Sequence, residues 1–186
     1  MWKDILLLFI GALLPILTLF LERVFNLIGN VDIHSKFIAD KANGRKAYVV
    51  NYNCENFLNI PLKIEIINNK NRSFIMRNLS LTLFEDDVKV ADFMQGEYSI
   101  LQDSKTVERV QYGDNENYSF IIEPKTVKTI KGMFFIKQTD KTLNYNKIKL
   151  SYYNGEKQVF YTLIDNVKSW NDIETPTTWI KNCKER

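Results

Sequence analysis

Lys147-Ile148-Lys149-Leu150-Ser151-Tyr152-Tyr153-Asn154-Gly155-Glu156-Lys157-Gln158-Val159-Phe160-Tyr161-Thr162-Leu163 is the stretch that decides the fold. Two runs rich in β-branched and aromatic residues flank Asn154-Gly155, the pair preferred in a two-residue type I′ turn because both central positions need φ > 0. Ile148, Leu150 and Tyr152 recur at every second position and so share one face. The segment predicts an antiparallel hairpin with one side in a core.

Working outward, the same period recurs upstream. Ile75, Arg77, Leu79, Leu81 and Leu83 alternate with Phe74, Met76, Asn78, Ser80 and Thr82, which predicts one long strand. Glu85-Asp86-Asp87 turns the chain, and Val88 to Phe93 returns as a further strand. Leu62, Ile64 and Ile66 oppose Lys63 and Glu65 in a strand from Leu58 to Asn68, with Pro61 expected at its beginning or at a sheet edge because proline cannot donate to the ladder. Ala47 to Tyr52 predicts a first strand, and Val107 to Tyr112 and Tyr118 to Ile122 are short extended pieces. After a corner at Glu123-Pro124-Lys125-Thr126, Val127 to Ile136 resumes β-character through Gly132-Met133-Phe134-Phe135-Ile136. Thr177 to Lys184 reads as a short helix docking Trp179 and Ile180.

Many short strands without intervening amphipathic helices predict an all-β, antiparallel sandwich, with an immunoglobulin-like arrangement preferred over a barrel. The composition agrees: 45% hydrophobic and 25% charged residues, with Gly 7 and Pro 4, describe a chain that folds. Aromatic residues at 13% suit a pleated, half-buried surface.

Ahead of this body stands Ile5-Leu6-Leu7-Leu8-Phe9-Ile10-Gly11-Ala12-Leu13-Leu14-Pro15-Ile16-Leu17-Thr18-Leu19-Phe20-Leu21, without a charge. It is at the short end of the roughly 20 residues that span a bilayer, and Trp2, Val24, Phe25, Leu27 and Ile28 extend it into both interfaces. An N-terminal transmembrane helix is expected, with Trp2, Ile5, Gly11, Pro15 and Leu21 as its anchor residues. No Ala-x-Ala-like site follows Leu21, so cleavage is not expected. Pro15 removes one backbone bond and should bend the helix, a defect the Thr18 hydroxyl could mitigate. Lys3 on one side against Arg23, Lys36 and Lys41 on the other favours a cytoplasmic body. The resulting plan is 1–29 helix and flanks, 30–45 connector, 46–165 β-sandwich and 166–186 tail. The connector from Val31 to Arg45 shows no period and ends in turn chemistry.

The run Asn68-Asn69-Lys70-Asn71-Arg72-Ser73-Phe74-Ile75-Met76-Arg77-Asn78-Leu79-Ser80-Leu81, followed by Ile122-Glu123-Pro124 and the final Asn-Gly hairpin, resembles bacterial single-pass membrane proteins with an immunoglobulin-like domain. That resemblance implies a fold and a location, and no activity.

Catalytic chemistry finds little to build on. His34 is the one histidine, so any Ser-His-Asp, Cys-His or histidine-metal arrangement would depend on a connector residue. Cys54 and Cys183 form no Cys-x-x-Cys pair, and two free thiols are the simpler reading. Glu85-Asp86-Asp87 and Asp114-Asn115-Glu116-Asn117 offer oxygen ligands without EF-hand spacing, and read as solvated turns. Phosphate-cradling glycine motifs are absent, so no cofactor is expected. A net charge of +3, spread along the chain, makes no nucleic-acid field. Lys125, Lys128, Lys131, Lys137, Lys141, Lys147 and Lys149 read as solvated strand faces.

The expectation is a non-enzymatic, membrane-anchored module that binds a protein partner or a second copy of itself. Two alternatives stand beside it: a partner- or ligand-triggered effector whose gathered helices perturb the membrane, as in bacterial antiphage systems, and an envelope-facing binding module.

Overall fold

The computed structural model describes residues 2–39, 44–96, 98–102, 105–110, 118–165, 167, 173 and 178–182. In chain order the elements are α1 (Trp2–Leu27), β1 (Val31–Phe37), β2 (Tyr48–Tyr52), β3 (Glu55–Asn68), β4 (Phe74–Glu85), β5 (Val88–Asp92), β6 (Met94–Gly96), β7 (Tyr98–Gln102), β8 (Lys105–Val110), β9 (Phe120–Ile122), β10 (Thr126–Lys137), α2 (Asp140–Leu143), β11 (Lys147–Asn154), β12 (Lys157–Ile164) and β13 (Ile180–Asn182).

The strands make two main sheets. One runs β13-β1-β3-β10-β6, with β2 also on β3; the other runs β12-β11-β4-β5, with β9 also on β4, while β7 and β8 pair as a ribbon. All pairings are antiparallel. Ile33, Leu58, Ile60, Leu62, Ile64, Ile66 and Phe134 from the first sheet merge with Leu79, Leu81, Leu83, Ile148 and Leu150 from the second in one buried cluster. Each fully buried aliphatic or aromatic side chain of this kind contributes about 1.5–3 kcal/mol, so the expected sandwich has its physical basis in this seam.

Several local expectations are corrected. The stretch read as connector holds β1, so the sheet begins at Val31 rather than near Lys46. Its inward positions are Ile33, Ser35 and Phe37, and the polar Ser35 hides the period; its buried hydroxyl donates to Asn182 Oδ1 at 3.0 Å. The expected tail helix is instead β13 at Ile180–Asn182, pairing with β1. Thr177 and Lys184 lie outside the described residues.

Pro61 sits inside β3, not at its start. Its carbonyl accepts from Ile38 N at 3.2 Å, just beyond the end of β1 and before β2 begins on the same side of β3. A strand residue directs its N–H and C=O to the same side, so the missing donor faces this change of partner, where no ladder bond is lost.

The long strand β4 changes phase. Asn78 has φ 51, and the pairing of β4 with β11 steps from Ser80↔Ser151 to Arg77↔Tyr153, which leaves one extra residue on β4. That is a β-bulge. Phe74 and Met76 face inward before it and Leu79, Leu81 and Leu83 after it, while Ile75 and Arg77 are exposed. Gln95 Nε2 holds the bulge through Asn78 Oδ1 at 3.1 Å, and Asn78 N donates to Ser119 Oγ at 3.0 Å.

The last hairpin also shifts by one residue. Asn154 pairs with Lys157, leaving Gly155 and Glu156 as the loop, with φ +66 at Gly155. Positive φ at the first loop position alone suits a type II′ turn. The two-residue loop with positive φ throughout is Asn53-Cys54, at 51 and 63, between β2 and β3.

The helix α1 stands apart from this body. From Leu13 to Phe25 its apolar side chains are exposed, Ile16 at 67% and Phe20 at 62% among them. Among the described residues no helix is long and apolar enough to cross a membrane, and the fully described part of α1 runs from Gly11 to Phe25. Thr18 Oγ1 donates to Leu14 O at 2.8 Å, not to the Gly11 carbonyl that Pro15 deprives of its usual donor, so the expected compensation at Pro15 is not the one observed.

Candidate partner-binding face

Along the outer face of the first sheet Pro61 and Met133 are buried at mid-strand, and the ends on either side of them are more open. The end remote from α1 is capped by the β2–β3 turn. Here Val50 and Tyr52 from β2, Phe57 and Asn59 from β3 and Phe135 from β10 enclose a hollow of about 250 Å³. Register explains the grouping: Val50 lies opposite Phe57, and Asn59 opposite Phe135. The rings of Phe57 and Phe135 meet edge to face at 6.2 Å. Gly96 of β6 lets Phe135 lie across the sheet, because a Cβ there would come within 2.9 Å of the ring.

Tyr52 is 66% exposed and Val50 37%. On the same face Lys137 pairs with Glu55 beside them, while Asn51 Nδ2 donates to Asn56 Oδ1 at 3.0 Å and Asn56 Nδ2 to Gln138 Oε1 at 2.8 Å on the other face. Small-molecule pockets run to about 300–1,000 Å³ and bury most of their ligand. An open hollow below that size fits one protruding apolar side chain of a larger partner. Apolar exposure rimmed by polar groups is the usual mark of such a surface.

About 13 Å along β3 from Asn59, at 3.3 Å per residue, the same face carries a row of lysines. Lys36, Lys63 and Lys131 stand in register on β1, β3 and β10. Among the described residues no carboxylate pairs with any of them. Lys63 Nζ lies 5.5 Å from the Trp179 ring. Like charges directly opposite each other weaken a sheet by up to about 1 kcal/mol, so an acidic partner laid over this row would relieve a repulsion the free protein carries.

Comparison with protein-family models, with curated proteins and with solved structures gave no match.

The residues singled out by their chemistry are dispersed. His34 lies on the outer face of β1 between Glu65 and Lys181. Cys54 is exposed and free in its turn; Cys183 and Asp114-Asn115-Glu116-Asn117 lie outside the described residues. Asp86 bonds Asn146 through its backbone N–H and its carboxylate, and Asp87 pairs with Lys147 at 3.6 Å. No group of three metal-ligating side chains occurs among the described residues. Lys125 donates to Asn69 O, Lys128 lies over Phe120, and Lys149 is buried against Phe84. Of the anchor residues, Trp2 and Leu21 are exposed, nothing packs where a Gly11 Cβ would stand, Pro15 is inside α1, and the side chain of Ile5 lies outside the described residues.

The buried phenols have shifted acidity. Burial pushes Tyr145 well above the ordinary range of a phenol. Tyr152 is raised by burial and then by the hydroxyl of Tyr161, 3.2 Å away, and Tyr161 is itself raised chiefly by burial. These are neutral core groups, placed to pack rather than to react.

Val50, Phe57 and Phe135 bear no polar or titratable group and Tyr52 only a phenol, so residue chemistry does not mark this surface in the sequence. A signal was present. Gly132-Met133-Phe134-Phe135-Ile136 is a continuous apolar run instead of an alternation, which marks a strand apolar on both faces.

Proposed function

We propose that this chain is a membrane-anchored, non-enzymatic binding module that docks an acidic protein partner on the outer face of its first sheet. The observation that carries this reading is the apolar hollow at Val50, Tyr52, Phe57 and Phe135 on the same face as the Lys36-Lys63-Lys131 row, which no carboxylate pairs with among the described residues. The partner would insert an apolar side chain into the hollow and lay carboxylates along the row. The order β1-β3-β10-β6 facing β12-β11-β4-β5 matches the A-B-E-D and G-F-C-C′ order of an immunoglobulin-type sandwich, which supports that assignment. In such folds function resides in grafted surfaces, not in the framework.

The anchor rests on the uncharged run Ile5–Leu21 and on the exposed apolar side chains of the described part of the helix, from Leu13 to Phe25. The charge balance around it favours a cytoplasmic body.

Photo-crosslinking from position 52 in full-length protein, with Val50→Asp and Lys63→Glu as variants, tests the docking face. A defined adduct that either substitution abolishes, with the thermal midpoint unchanged, is expected. An adduct indifferent to both substitutions overturns the site. For the anchor, the chain should resist alkaline extraction from membranes; release into the supernatant overturns it. A membrane-impermeant maleimide should leave Cys54 unlabelled in intact cells, and labelling there reverses the orientation.

A further inference from the structure

We propose a second site, resting on the membrane-anchored reading: the cleft beside the helix exit holds the phosphate of an anionic phospholipid. The cleft measures about 610 Å³ and lies between the 68–73 turn and the β11–β12 hairpin. Lys70, Arg72, Arg77 and Glu156 line it, Phe74 and Ile75 form its apolar wall, and Ser73 in its lining donates to the Glu123 carboxylate at 3.1 Å.

Its position comes from the junction between helix and sandwich. Asn71 Nδ2 donates to Phe25 O at 2.8 Å, and Asn69 N donates to Asn30 O at 2.9 Å. Gly29, at φ +105, brings the chain so close to the Asn69 carbonyl that a Cβ would collide with it. The turn is thus fastened to the end of α1, where an anchored chain leaves the apolar layer. Cations at that depth meet lipid phosphates.

The cleft is held in shape before any ligand arrives. Asn68 is fully buried at the root of the turn. Its Nδ2 donates to Arg72 O at 2.9 Å and to the carbonyls of Ile122 and Glu123 at 3.0 Å, while its Oδ1 accepts from Lys70 N at 3.1 Å. One amide therefore positions both Lys70 and Arg72. Arg77 is steered by its bond to the Gly155 carbonyl. Guanidinium groups suit phosphate because their planar fork matches its oxygens.

An independent observation points to a lipid source. Ile75 and Ile121 are cross-strand partners beside the cleft, exposed by 54% and 60%. A pair of bare aliphatic side chains next to cations is the arrangement of an interfacial surface, in which apolar groups enter the acyl boundary and cations stay among the headgroups. A site for free phosphate gains nothing from them.

The test uses full-length protein in nanodiscs of phosphatidylcholine, with or without phosphatidylglycerol, and reads phenylglyoxal modification of Arg72 by mass spectrometry, with Arg45 as reference. Phosphatidylglycerol should slow Arg72 modification about fivefold, the effect of roughly one cation at an anionic surface, and leave Arg45 unchanged. Millimolar inorganic phosphate on phosphatidylcholine discs should not slow it. Lys70→Gln should reverse the protection and Lys141→Gln, exposed on α2 beyond the far end of β10, should not. Equal rates in the two discs, equal protection by inorganic phosphate, or equal reversal by both variants overturns the lipid site while leaving the anchor intact. Failure of the chain to co-elute with either disc overturns the anchor and this site together.

Discussion

The side-chain amide of Asn71 donates to the backbone carbonyl of Phe25 across 2.8 Å, joining the turn between β3 and β4 to the end of α1. The last carbonyls of a helix lack partners within it, so this bond both caps α1 and sets where the sandwich hangs from it. Asn71→Ala should therefore loosen the junction without unfolding the body. The lost bond costs about 0.5–1.5 kcal/mol locally. Amide hydrogen exchange at residues 28–30 should accelerate while the urea midpoint of the sandwich stays put; unchanged exchange would show that the bond restrains nothing.

Asn68 carries a larger share of the same region. Replacement by Ala leaves the buried Ile122 carbonyl without this donor, at about 1–3 kcal/mol, and removes the part-buried bonds to the carbonyls of Arg72 and Glu123. Asn68→Asp should be worse than Asn68→Ala, because an acceptor would then face three carbonyl oxygens. Chemical denaturation of the two variants gives the order, and the reverse order would mean that the turn reorganises around the carboxylate.

The bulge makes a conformational prediction. Asn78 has φ 51, in the left-handed region that glycine enters freely and β-branched residues resist. Asn78→Val should be less stable than Asn78→Gly by about 1–2 kcal/mol. Equal denaturation midpoints would count against a strained backbone at this position.

The paired phenols make a pH prediction. Tyr152 and Tyr161 have folded-state pKa values above the unfolded value of about 10, so the folded chain holds these protons more tightly. Their contribution is fully present below about pH 10 and is lost as the pH climbs beyond it. Tyr152→Phe should lower stability at neutral pH by about 1–2 kcal/mol, through the orphaned Tyr161 hydroxyl, yet lose less between pH 7 and pH 11 than the parent. Urea midpoints at the two pH values check this, and parallel losses would mean that neither phenol ionises on unfolding.

Much of the β-architecture was legible in the residues themselves. The hairpin near Gly155, the alternation in β3 and the turn at Asp86-Asp87 follow from spacing and turn chemistry, which act within a few residues. β1 and β13 were not legible. Ser35 and Asn182 occupy inward positions where an apolar residue would have displayed the period, and the Ser35 hydroxyl is satisfied there by Asn182 Oδ1. Nothing within Val31–Phe37 announces a partner 147 residues away. The proposed docking face was hidden for a related reason: Val50, Phe57 and Phe135 look like core residues until pairing decides which side of the sheet each one faces.

By itself the sequence determined that this chain is a β-protein preceded by one long apolar stretch, because side-chain period and hydrophobic content are local properties of the chain. Tertiary structure decided the rest. It set the phase shift at Asn78, the placement of Pro61 opposite a change of partners, the lysine row, and the union of Lys70, Arg72 and Arg77 beside the helix exit. Each depends on register between strands distant in sequence, and register is fixed only when two faces compete to be buried.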